Sequence, residues 1–203
     1  MGKLKIAIQG ELGAYSHIAA QNLYPNAEIK TCMTFEETFK QAYNDTNYKI
    51  VIPIENSLAG RVADIHYLLP KYKLQIHGEY FQPVEHNLLC KPEAIEKDIK
   101  FVRSHAQAIG QCQNLINKKK LKSIISADTA GSAKDLAEGD DKSIAAIASE
   151  LSAKIYKLKI LEKNIEDEKG NVTRFLIMGK NIEQPEFIKN KKFITSCIFR
   201  VKS

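Results

Sequence analysis

The chain has 203 residues, 44% hydrophobic and 27% charged, ordinary for a soluble globular protein with one large core or two small ones. No stretch approaches the roughly 20 apolar residues that a membrane-spanning helix needs, which excludes a helical membrane protein. The formal net charge of +6 raises a nucleic-acid partner, but the lysines are scattered and no basic stripe is interleaved with aromatics.

The one dense basic run, Lys118-Lys119-Lys120, falls at the end of an expected helix, where it suits the helix dipole. A basic balance also favours a small substrate bearing several carboxylates. Cys32, Cys90, Cys112 and Cys197 are far apart and read as small core residues. The histidines lack the spacing of a zinc site, and no metal is expected. The opening Lys3-Leu4-Lys5-Ile6-Ala7-Ile8 alternates like a strand rather than a signal peptide, so the expected location is cytoplasmic.

Residues 4–8 read as a first strand, ending in a glycine-punctuated turn, 9–13. Ser16 is the expected N-cap of a helix running to about Tyr24. Residues 27–33 form a second strand, and Thr34 with Glu37 makes a capping-box pattern for the next helix. Residues 49–53 read as a short buried strand ended by Pro53, and 61–69 as a helix. Extended segments follow at 73–80 and 84–90. Strand and helix then alternate: 101–104 into a helix from His105 to about Asn117, 122–126 into a helix from Thr129, and 143–147 into a helix from Ser149. Residues 158–161 begin a return that ends in the strand of Thr173, Arg174 and Phe175. Two such series predict two α/β lobes, with sites beyond the carboxyl ends of strands.

The polar clusters fall at those junctions. Gln9 to Ser16 offers a Gly-x-x-Gly turn before a helix, but neither a dinucleotide fingerprint nor a P-loop, so no cofactor is expected. Glu55, Asn56 and Ser57 follow a buried strand and are closed by Gly60. They either meet a ligand or form an Asx-type turn satisfying its own backbone. His105 and Gln107 open a helix, with Gln111 one turn further on the same face. Cys112 could pair with a histidine as a nucleophile, but it lies well inside that helix. Asp128, Thr129, Ala130 and Gly131 place small residues at a helix start, suited either to an anion or to a plain Asp cap. Thr173 and Arg174 stand side by side at the start of a buried strand. The arginine needs an anion, either a ligand or a local acid such as Glu166 or Asp167.

Taken in order, these segments resemble the prephenate dehydratase family. The resemblance rests on Gly10-x-x-Gly13-x-Tyr15-Ser16, Pro53-Ile54-Glu55-Asn56-Ser57-x-x-Gly60 and His86-x-Leu88. It continues in Ser104-His105-x-Gln107-Ala108-x-x-Gln111-Cys112, Asp128-Thr129-Ala130-Gly131-Ser132-Ala133 and Asn171-x-Thr173-Arg174-Phe175. It implies an α/β, two-lobed fold like the type II periplasmic binding proteins, with an active-site cleft between the lobes. The catalytic domain is expected over residues 1–180, lobe 1 being about 1–75 plus 160–180 and lobe 2 about 76–159. Residues 181–203 are expected to be a linker and the first strand of a truncated ACT domain. Phenylalanine is then an allosteric ligand only if that domain is complete. A homodimer is also implied.

The implied reaction is that of a carbon–oxygen lyase in phenylalanine biosynthesis. Prephenate loses carbon dioxide and water to give phenylpyruvate, and no cofactor is called for. Thr173 is the expected hydrogen-bond donor to the departing hydroxyl, and Arg174 the expected carboxylate clamp. Glu55, Asn56, Ser57, Thr129, Ala130, Gly131, His105, Gln107 and Phe175 complete the expected binding set. Alternatives are a dehydratase acting on arogenate, or a two-lobed small-molecule binding protein without catalysis.

Overall fold

The computed structural model describes residues 4–180. The expected linker and ACT strand at 181–203 lie outside the described residues.

The elements run in chain order β1 (Lys5–Gln9), α1 (Tyr15–Leu23), β2 (Glu28–Cys32), α2 (Phe35–Asn44), β3 (Tyr48–Asn56), β4 (Gly60–Arg61), α3 (Ala63–Tyr72) and β5 (Gln75–Pro83). The second half contributes β6 (Asn87–Cys90), β7 (Phe101–His105), α4 (Ala106–Gly110), α5 (Gln113–Lys118), β8 (Lys122–Ser126), α6 (Thr129–Glu138), β9 (Ile144–Ala148), α7 (Glu150–Ile155), β10 (Lys159–Glu162) and β11 (Val172–Gly179). One sheet has the order β2-β1-β3-β11-β5, with β4 beside β3, and the other β10-β6-β9-β7-β8. Each has a parallel portion, β2–β1–β3 or β8–β7–β9, extended by antiparallel strands. This is the two-lobed α/β architecture expected.

The lobe boundaries differ from the expected ones. Residues 75–83 belong to the first sheet as β5, and 159–162 to the second as β10. The cause lies in β11. Its Leu176 and Met178 bury into the core beneath α2 and α3, while Phe175 and Ile177 bury against α1 on the opposite face. A strand apolar on both faces sits inside a sheet with a partner on either edge. Here β3 supplies one edge and β5 the other.

Pro53 does not end its strand, since β3 continues to Asn56. The residue lies where the β3–β11 register shifts and beyond the last β1 pair at Ile50, so its missing N–H breaks no ladder. Ser16 is not an N-cap. Helix α1 starts two residues earlier than that cap implies, after Ala14, and Ser16 Oγ donates to Gln9 O at 3.2 Å. Thr34 does cap α2, accepting from Glu37 N at 3.1 Å, while the Glu37 carboxylate takes Met33 N. The helix expected from His105 to Asn117 is broken into α4 and α5 at Gln111 and Cys112. Asp167 makes the break: its carboxylate accepts from Gln113 N and Asn114 N at 2.8 and 3.1 Å, starting a new helix from a distant loop.

The lobes are fastened to each other at the loop after β1. Gly13 O accepts from Ser149 Oγ at 2.6 Å and Ser152 Oγ at 3.1 Å. Gly13 has φ +94°, and a Cβ there would stand 2.8 Å from Ser152 Cα. Only glycine permits that approach.

Candidate active site

Between the sheets lies a cleft of about 510 Å³. The carboxyl ends of β1, β3 and β7 and the start of α6 open onto it, through Gln9, Asn56, His105 and Thr129. Strand β11 runs antiparallel to β3, so its amino end meets the carboxyl end of β3 and Thr173 pairs with Asn56. Phe175, two residues on, lines the same wall.

Asn56 organises this wall. Its side-chain oxygen accepts from Leu58 N at 3.0 Å and Ala59 N at 2.9 Å, which is the Asx turn the sequence allowed. Those two bonds fix which way the amide points. Its Nδ2 therefore donates to Thr173 Oγ1 at 2.9 Å and to Asn171 Oδ1 at 2.6 Å. The Thr173 oxygen is thus occupied as an acceptor, and its own proton is free to point into the cleft. Asn171 is buried and passes the polarity on, its Nδ2 donating to Gln111 Oε1 at 2.9 Å. The same oxygen lies 2.9 Å from His86 Nε2. An amide oxygen only accepts, so Nε2 carries the imidazole proton. Burial pulls the His86 pKa down, so the ring is neutral. Its unprotonated Nδ1 lies 3.2 Å from the Tyr15 hydroxyl oxygen, and the one proton of that hydroxyl goes to Glu85 O at 2.7 Å.

The expected site residues divide. Asn56, His105, Gln107, Thr129, Thr173 and Phe175 line the cleft. His105 caps α4, its Nδ1 accepting from Gln107 N at 3.3 Å. Arg174, Glu55 and Ser57 do not line it. Arg174 faces the other side of β11, where Nε and Nη2 reach the Glu79 carboxylate at 2.7 and 2.6 Å, with Glu55 at 3.7 Å. The arginine thus has local acids, though not Glu166 or Asp167. Glu166 accepts from His86 N, and Asp167 caps α5. Ser57 Oγ bridges Gly170 O and Val172 N, tying its loop to the start of β11. Ala130 is fully buried and Gly131 N donates to Asp128 Oδ1 at 2.6 Å, so both serve the start of α6. Cys112 is buried and its thiol is pushed up to about 12, first by desolvation and then by Asp167 and Glu166. No thiolate is available there, which removes the Cys–His nucleophile.

Tyr15, His86, Gln111 and Asn171 were visible as motif positions but carried no assigned role, because their function lies in bonds between segments far apart in the chain. Arg61 was missed altogether. It is exposed on the two-residue β4, and among the described residues it is the one lysine or arginine lining the cleft. Among the described residues no group of three or more His, Cys, Asp and Glu could hold a metal ion, and no helix is long and apolar enough to cross a membrane.

Comparison with known proteins places this cleft in context. The family model described as prephenate dehydratase matches residues 6–183. An Arabidopsis thaliana arogenate dehydratase/prephenate dehydratase 2, chloroplastic, is 39% identical over 200 residues, covering 98% of this chain. The chain spans 52% of that relative's length. A bifunctional N-acyl-homoserine lactone acylase/prephenate dehydratase from Komagataeibacter europaeus is 37% identical over 204 residues, covering all of this chain and 72% of the relative. The solved prephenate dehydratase of Arthrobacter aurescens in complex with L-Phe superposes with a TM-score of 0.82 at 25% identity, over 91% of this chain and 63% of that one.

Proposed function

This chain belongs to the prephenate dehydratase family, and from that premise we propose that its cleft catalyses the decarboxylative dehydration of prephenate to phenylpyruvate. The observation that carries the reading is the Thr173 hydroxyl, which accepts from Asn56 Nδ2 at 2.9 Å and lines the cleft.

In prephenate the bond from the ring to its carboxylate breaks, and its electron pair moves through the diene to expel hydroxide from the opposite ring carbon. Carbon dioxide departs, the ring becomes aromatic, and the departing hydroxide takes a proton from solvent in the cleft to leave as water. The barrier lies in the charge growing on the departing oxygen. Thr173 donates a hydrogen bond to that oxygen. A threonine is too weak an acid for full transfer before the bond breaks, so stabilisation of developing charge is its role. Arg61, in place of Arg174, supplies positive charge for a substrate carboxylate. The start of α6 at Thr129 offers a second anion contact. Phe175 gives the ring an apolar wall.

The enzyme acts as a cytoplasmic homodimer in phenylalanine biosynthesis, and phenylalanine control belongs to a complete ACT domain. The test is to follow phenylpyruvate formed from prephenate, beside phenylalanine formed from arogenate. Turnover on prephenate supports the reading, and turnover on arogenate alone moves it to the sister reaction. Tight binding of either acid without turnover makes the protein a binding module.

A further inference from the structure

The joint between the lobes is built around one residue, Gly13. Its carbonyl takes the Ser149 and Ser152 hydroxyls of the second lobe at 2.6 and 3.1 Å, while its N–H turns back to His17 Nδ1 at 2.9 Å. Neighbouring bonds reinforce the joint: Tyr156 Oη donates to Leu12 O at 3.0 Å, and Lys134 meets Glu11 at 3.1 Å. Helix α1 has no side-chain cap at Ala14, and His17, in its first turn, reaches back to the chain before the helix. A backbone N–H only donates, so Nδ1 accepts and the ring proton sits on Nε2. A second proton on this ring would set two donors against each other at a side chain only 8% exposed. The docked loop and a charged imidazole therefore exclude each other.

We infer that His17 is a positioning residue, a latch that holds the interlobe joint while its imidazole is neutral and frees it on taking a proton. The cleft depends on this joint in two ways. The same loop lines it through Gly10, Ala14 and Tyr15, and Thr173 and Thr129 reach it from opposite lobes. Helix α1 packs on β1, β3 and β5. On that side β1 offers only apolar Ile6 and Ile8, β3 offers Lys49 and β5 offers Tyr80. Tyr15 and Tyr24 lie on or beside the helix, and Glu11, Lys134 and Tyr156 stand at the joint. Burial pushes the Tyr15 hydroxyl up, and that of Tyr156 to about 12, so both stay uncharged near neutrality. Burial draws His17 below its ordinary 6.5. The docked state thus binds fewer protons than the released one, and the joint weakens as the pH falls below that ordinary value.

The first test is hydrogen exchange on the full chain, which assumes nothing about the reaction. Corrected for the pH dependence of chemical exchange, protection of the 10–18 segment should fall by up to about tenfold per pH unit below roughly pH 6.5, while that of β9 holds. His17→Asn places an amide oxygen near the position of Nδ1 and does not titrate, so its protection should stay level over the same range. Protection independent of pH in the native chain, or a fall that His17→Asn leaves in place, would overturn the latch and assign any acid response to another group such as His86. Should His17→Asn not fold, His17→Leu serves. It has no acceptor, so the segment should be poorly protected at every pH, and native protection there would overturn the inference. The second readout is kcat/KM for prephenate, corrected for uncatalysed decay in acid. The native enzyme should lose up to about tenfold per pH unit below roughly pH 6.5, and His17→Asn should stay within about threefold of its neutral value down to about pH 5.5. An acid limb identical in the two would overturn the positioning role. This readout rests on the cleft being the dehydratase site: no turnover at any pH defeats that reading alone, and the exchange result still decides the latch.

Discussion

Thr173 and Arg174 are adjacent in sequence and opposite in environment. Thr173 opens onto the cleft and meets Asn56, while Arg174 turns to Glu79 and Glu55 on the far face of the same strand. A strand alternates its faces at every residue. Two chemically capable neighbours on one strand therefore serve two different purposes unless a bulge separates them. The register shift in this ladder lies after Arg174, not between the pair. The same division runs through the partner strand, where Asn56 joins the cleft and Glu55 joins the arginine.

The largest expected effect breaks or upholds this division directly. Thr173→Ala should lower kcat by about 10²–10³, the scale for losing one preorganised donor, measured as phenylpyruvate formation. Unchanged turnover would place the chemistry elsewhere. Next, Arg61→Gln should raise KM for prephenate about tenfold with little change in kcat, the signature of a lost charged contact that is equal in ground and transition states. A native KM would return the anion-binding role to the α6 start or to Arg174. Third, Arg174→Gln should leave kcat and KM within about twofold and cost about 1 kcal/mol of stability in urea unfolding, since the pair is only partly shielded from water. A large rise in KM would show that the guanidinium swings to the cleft when substrate binds. The smallest effect is a control away from both faces. Lys71, and then Tyr72, hold the exposed Glu36 carboxyl down to about 2. A lowered native pKa adds stability above the ordinary value of 4.5, and this is lost as the pH falls toward 2. Glu36→Gln should therefore flatten the acid side of the stability curve slightly and leave turnover at neutral pH untouched.

Much of the fold was legible because its signals are local. The alternating strands, the Thr34 cap and the Asp128 cap all rest on residues within one turn of each other. The strand carrying Thr173 was readable from its apolar run. What escaped was set at long range. Nothing near residue 111 announces that Asp167 splits the helix there, and nothing near residue 76 says that β5 will pair with a strand about 100 residues later. The site followed the same rule. Asn56 was picked out from its own cluster, with its turn foreseen as the alternative to ligand contact, and the structure has the turn serving the site. Gln111 and Asn171 gained meaning only once strand pairing brought them together. Arg174 was misplaced because side-by-side residues invite a shared role that strand geometry does not permit.

The Asx turn at Asn56 has a consequence for how the protein ages. An asparagine followed by serine is open to deamidation, in which the next backbone nitrogen attacks the side-chain carbonyl. Here that nitrogen, of Ser57, is bonded to Val172 O at 2.9 Å, and the amide oxygen is clasped by two N–H groups. The bonds that aim the amide also shield it from cyclising. Conversion to aspartate would leave the loop shape almost intact while removing both hydrogens that face Thr173 and Asn171, so an old molecule could be folded and silent.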